Sequence, residues 1–117
     1  MVYEIPIPKA LKIGGYIYSI ECDDEADRNL RVDGWTGDYS FTLQRIRVSK
    51  YAGKQETTNA FIHEVLHAIC RIYAANKVDE NLIEGIGNGL HQVLEELGIT
   101  FVIEEDYESS VTEHEER

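Results

Sequence analysis

The segment His63-Glu64-Val65-Leu66-His67 carries the clearest chemistry in the chain. A four-residue step turns an α-helix by about 400°, so both imidazoles project from one side and a single metal ion can take both. Glu64 stands one residue past the first histidine. That is too far round the helix for a comfortable ligand, but well placed to reach water on the ion, which is a general base's position. Hydrolytic zinc takes three protein ligands and keeps one position open, so a third donor is required. A third histidine soon after a glycine, as in the longer form of this pattern, is absent, because Cys70-Arg71-Ile72-Tyr73 follows. Further on, Glu84, Asn88, His91 and Glu95 make a polar stripe at steps of four and three through an otherwise apolar segment. Glu84 is the expected third ligand, since 16 residues separate it from His67, enough to end one helix, turn and return alongside. Glu80, one turn earlier, is the alternative; as an acid in a first helical turn it already has a helix-dipole reason to be there. Two imidazoles and one carboxylate suit zinc best, one Zn²⁺ per chain.

These residues need two helices to position them. From Thr57 onward Ile62, Val65, Leu66, Ile69, Ile72 and Tyr73 recur at three- and four-residue steps, predicting a helix capped by Thr57 or Thr58. His63 and His67 fall off that apolar stripe and share a side with Ala60, Cys70 and Ala74. A second helix starts at the N-cap Asp79 and turns Leu82, Ile83, Ile86, Leu90, Val93, Leu94 and Leu97 inward before Gly98 ends it. Gly85, Gly87 and Gly89 within it cost together about 2 to 3 kcal/mol relative to alanine. Gly85 and Gly89 share a face and point to a close helix approach, a reason that does not extend to Gly87. Ahead of the helices, Leu11–Ile13 and Tyr16–Ile20 flank Gly14-Gly15 as a hairpin. Asp23–Asp27 reads as loop, Leu30–Val32 as a short extended piece, and Asp38–Phe41 with Arg45–Val48 as a second hairpin. Ile99–Ile103 is a last strand. The predicted fold is α+β: a small antiparallel sheet followed by a two-helix hairpin carrying the metal site, in a single domain over 1–103.

Composition narrows the function classes. The net charge of −11 opposes binding to nucleic acid or anionic membranes, and more than half of it sits in residues 104–117, read as a flexible acidic tail. No apolar run approaches the roughly 18 residues that cross a bilayer, and the opening Met-Val-Tyr-Glu-Ile-Pro lacks the pattern of a secretory signal, so a cytoplasmic protein is expected. Cys22 and Cys70 are read as reduced, Cys70 as a small buried apolar residue rather than a ligand. His91 is either a hydrogen-bonded residue at the border of an apolar face or a catalytic donor to a developing oxyanion. Trp35, Tyr39 and Tyr51 line a cleft or belong to the core or its rim, and His114 travels with the tail, as a solvated segment or an inhibitor folded into the site.

On Lys12–Tyr16, Gly37–Tyr39, Arg45–Val48, Thr57–Ile69 and Ile83–Leu94, the chain resembles short phage and prophage proteins that carry a His-Glu-x-x-His helix. More distantly it is similar to the minimal core of the gluzincin zinc metallopeptidases. That resemblance implies Glu84 as the third ligand and Asn88, four positions later, as support for a ligand histidine. It implies a peptide or protein substrate laid along an edge strand at Ile46–Ser49, and a host-cell cytoplasmic location if phage-encoded. At position 91 the phage pattern more often has tyrosine, so His91 departs from it. The competing expectation is a non-catalytic, zinc-stabilised phage adaptor or regulatory binding domain. The sequence does not fix an oligomeric state.

Overall fold

The computed structural model describes residues 2–103, so the readings for the acidic tail and His114 lie outside the described residues. In chain order the elements are β1 (Tyr3–Pro6), β2 (Ala10–Ile13), β3 (Tyr16–Glu21), α1 (Asp24–Val32), β4 (Gly37–Ser40), β5 (Arg45–Val48), α2 (Lys54–Tyr73), α3 (Glu80–Glu96) and β6 (Ile99–Val102). The architecture is α+β, with a four-stranded sheet in the order β2-β3-β5-β4 and a separate β1-β6 pair.

Both expected hairpins are present. Gly14, at φ 62°, supplies the left-handed turn between β2 and β3, and β4 pairs with β5 from Gly37↔Val48 to Ser40↔Arg45. The sheet is nevertheless mixed rather than antiparallel, because β3 and β5 run parallel. A parallel pair needs a long crossover, and α1 supplies it where loop and extended chain were expected. The Asp23 carboxylate accepts from the Ala26 N–H at 2.8 Å as N-cap, Asp24, Glu25 and Asp27 complement the helix dipole, and Leu30 is fully buried. The acid-rich stretch is thus a helix start rather than a loop. It is pinned to the segment after β5 by Ser49 Oγ donating to Asp27 at 2.6 Å and Tyr51 Oη donating to Asp24 at 2.7 Å.

A second correction concerns β5. It lies between β3 and β4, so Ile46–Ser49 is not an edge; the edge strand on that side of the sheet is β4. Ile46 and Val48 are fully buried while Arg45 and Arg47 point the other way, the alternation of an interior strand over a core.

α2 begins at Lys54, after Gly53 at φ 91°, three residues before the expected start. Thr57 and Thr58 are therefore inside the helix and buried, not caps. Thr58 Oγ1 donates to the Phe101 carbonyl and accepts from the Phe101 N–H, each at 3.0 Å, fastening β6 to α2. The other side of β6 pairs in parallel with β1, a strand the sequence reading did not anticipate. Phe61 and Ala68 of α2 pack onto Tyr18, Ile20, Ile46 and Val48 of the sheet in one core.

α3 is far less buried than its seven inward apolar positions implied. Ile83 is buried and Leu94 half-buried, while Leu82, Ile86, Leu90, Val93 and Leu97 are exposed. The helix meets α2 and β6 along one narrow face, centred on Ile83 and Gly87. Gly87 is the glycine at the crossing: a Cβ there would meet Leu66 Cδ1 at 3.4 Å and His63 Cα at 4.0 Å, whereas a Cβ at Gly85 or Gly89 would meet nothing within 4 Å from the other described elements. Among the described residues, no helix is long and apolar enough to cross a membrane.

Candidate metal centre

His63 and His67 occupy successive turns of α2 on the side that faces α3 and the loop before β4. Their Nε2 atoms lie 3.2 Å apart. Glu80, in the first turn of α3, spans them, with Oε1 2.9 Å from His63 Nε2 and Oε2 2.9 Å from His67 Nε2. One donor atom from each of the three residues lies within 4.8 Å of the others, and this His63–His67–Glu80 group can hold a metal ion. The donor set is one that zinc uses in catalytic sites, and the separations suit it. Tetrahedral corners at bond lengths of about 2.0–2.1 Å lie roughly 3.3 Å apart, close to the spacing found.

The carboxylate brought against both imidazoles is thus Glu80, which the sequence reading ranked second. Glu84, one turn along α3, lines the same cavity without joining the group, and so does Asn88. His91 is one further turn away, outside the cavity lining, with Nε2 4.0 Å from the Glu95 carboxylate. The helix start explains the placement: Asp79 caps α3 by accepting from the Leu82 N–H at 2.9 Å, which sets Glu80 at the mouth of the α2–α3 hairpin beside both histidines.

The cavity measures about 620 Å³ and is bounded on its third side by Trp35, Gly37, Asp38 and Tyr39. Trp35 and Tyr39 thus line it, while Tyr51 is held elsewhere by Asp24. The Tyr39 ring stacks on the His67 imidazole, with centroids 5.7 Å apart and planes 11° from parallel. Burial first of all, and then His63 beside it, holds the His67 imidazole below its ordinary pKa against the pull of Glu80. That favours the neutral, ligating form.

Glu64 is buried beneath the cavity wall and contributes to its lining. Burial, reinforced by the nearby carboxylates of Asp38 and Glu80, pushes its pKa up to about 8. Asp38 is itself gripped by Arg47 across the β4–β5 hairpin, with Nε donating to Oδ1 at 2.9 Å and a second bond from the guanidinium to Oδ2. Gly37 leaves room for the Glu64 side chain: a Cβ there would lie 3.1 Å from Glu64 Oε2 and 3.2 Å from Glu64 Cγ and the Arg47 carbonyl. The sequence reading gave β4 no such role; the only trace was the Gly37-Asp-Tyr39 segment. The free edge of β4 and the loop before it run along the cavity. Compared with known proteins, the chain matches no family model, no curated protein and no solved structure.

Proposed function

We propose that the protein is a zinc-dependent hydrolase of the gluzincin type acting on peptide bonds. The observation that carries this reading is the convergence of His63, His67 and Glu80 on one point at the edge of an open cavity, with Glu64 beside it. His63, His67 and Glu80 would hold the zinc, which would supply Lewis-acid chemistry, polarising a carbonyl and easing deprotonation of water. Glu64 would take a proton from the attacking water and return it to the departing amine. Burial and the neighbouring carboxylates raise the Glu64 pKa in the metal-free chain, and a cation held beside it would draw that pKa back down, so that the carboxylate can accept a proton and later return it. Arg47 keeps Asp38 in place, so the Asp38 carboxylate continues to disfavour the charged form of Glu64.

An extended peptide has a place to lie. Among the described residues β4 ends the sheet, and its outer backbone edge borders the cavity, so a substrate strand can add to Gly37–Ser40 by main-chain hydrogen bonds. That replaces Ile46–Ser49 as the docking strand.

Elemental analysis and a peptide-library assay test the reading together. One zinc per chain is expected, lost in His63→Ala and greatly weakened in Glu80→Ala, with Glu84→Ala much closer to wild type. Glu64→Gln should keep its zinc and lose hydrolysis by about 10²–10⁴-fold, the usual range for removing a general base. Full hydrolysis by Glu64→Gln would dismiss the base assignment. Retention of every cellular function by that variant would favour the zinc-stabilised adaptor.

A further inference from the structure

Five aliphatic side chains of α3 serve neither the core nor the metal centre. Leu82, Ile86, Val93 and Leu97 are 54–59% exposed and Leu90 is 41% exposed. At steps of four, four, three and four they form one ridge down the helix. At 100° per residue that ridge lies roughly 120° or more round from Glu80, Glu84 and Asn88, facing away from the cavity. Beside it runs a groove of about 480 Å³ between α2, α3, β1 and β6, walled by Ile62, Val65, Leu66 and Phe101 among others, with no charged residue in its lining. Leu90 belongs to both ridge and groove, so the two form one continuous apolar patch.

We propose that this patch is the contact surface between two copies of the chain, the ridge of each seated in the groove of the other about a two-fold axis. A two-fold contact requires one patch that is complementary to itself, and a ridge beside a groove has that form. The extent is sufficient. Half the surface of five aliphatic residues plus the groove walls is roughly 500–600 Å² per copy, so the pair buries about the 1,000 Å² that a specific interface needs. An uncharged patch on a chain of net charge −11 selects by shape rather than charge, which fits a second copy better than a basic partner. Gly85 and Gly89 agree with this. Both weaken the helix, a Cβ at either would meet nothing within 4 Å from the other described elements, and both flank the ridge, where they let another helix come close. The arrangement leaves both metal centres open.

Sedimentation velocity on the full chain, from low micromolar to a few hundred micromolar, tests the proposal. A concentration-dependent monomer–dimer equilibrium is expected. Ile86→Lys and Val93→Lys should each weaken it roughly a hundred-fold or more, because a charge would be buried unpaired in the contact. Glu25→Lys on α1 should leave it unchanged. Gly89→Gln guards against simple misfolding: a better helix former there should raise the melting temperature of the monomer while weakening the dimer. Zinc content should be the same in all four variants, so a failed dimer and a failed metal site are separately visible. A monomer at every concentration would overturn the proposal and leave the patch to a partner of another sequence. So would a dimer indifferent to these substitutions, or an assembly that grows beyond two copies.

Discussion

The two helices that make the metal centre are held in very different ways. α2 buries Thr57, Thr58, Ala60, Phe61, Ile62, Glu64 and Ala68, and it touches the four-stranded sheet and β6 as well as α3. α3 buries only Ile83 and Gly87. The candidate centre is therefore a fixed half, with both histidines, Glu64 and β4, and a lightly held half that brings Glu80. Such a site has His63, His67 and Glu64 in place whether or not an ion is bound. An ion held by His63, His67 and Glu80 would add a link between the halves that the core does not supply.

The largest effect expected lies in the fixed half. Glu64 has an ordinary pKa of 4.5 and one of about 8 in the folded protein. Between those values the folded state binds more protons than the unfolded state, so stability falls as pH rises across that window and the loss is complete above it. Metal-free Glu64→Gln should therefore match the wild type below about pH 4.5 and exceed it above pH 8 by about 3–5 kcal/mol. Chemical denaturation of the chelated proteins at both ends of the range checks this. Equal stability at high pH would mean that Glu64 is not buried among carboxylates.

Zinc itself should act on the other half. At a free concentration a hundred times the dissociation constant, bound metal adds about 2.7 kcal/mol to whatever opening releases it. Amide hydrogen exchange should accordingly slow by roughly a hundred-fold in α3 on adding zinc, with a smaller change in the middle of α2. Equal protection of both helices without zinc would remove the contrast drawn here.

Thr58→Val probes the fixed half without touching the centre. The hydroxyl it removes satisfies both the N–H and the carbonyl of Phe101 at a fully buried position. The expected cost is about 1–3 kcal/mol of global stability, measured by denaturation, with zinc affinity unchanged. A matching loss of zinc affinity would show that β6 also sets the histidines.

What the sequence made legible follows the same division. His63, Glu64 and His67 depend on a four-residue step within one helix, and local periodicity shows that directly. The two hairpins were equally local, marked by Gly14-Gly15 and by alternation in Arg45–Val48. The carboxylate that meets the two histidines was harder, because the phase of α3 against α2 is set by where α3 packs, and its apolar residues cover too wide an arc to reveal it. Reading all seven as inward hid the exposed ridge. Asp23–Asp27 misled because acids that cap and open a helix resemble acids in a loop. The β1–β6 pair and the interior position of β5 are long-range pairings for which a short strand carries no mark. β4 was legible as a strand, yet its place at the cavity depends on the order of the sheet.

That hidden contribution gives the smallest and most specific test. Gly37→Ala puts a methyl 3.1 Å from Glu64 Oε2, and on its other side the Arg47 carbonyl at 3.2 Å belongs to the backbone of the neighbouring strand and cannot yield. The Glu64 side chain has to give way by a few tenths of an ångström. No ligand moves, so zinc content should be unchanged, while a displacement of the base that small should lower kcat by about ten-fold, less than the hundred-fold typical of a full ångström. The readout separates two roles for β4. If KM rises and kcat holds, Gly37 acts on the substrate strand along the β4 edge; if kcat falls and KM holds, it acts through Glu64, and the fixed half of the centre extends from α2 into the sheet.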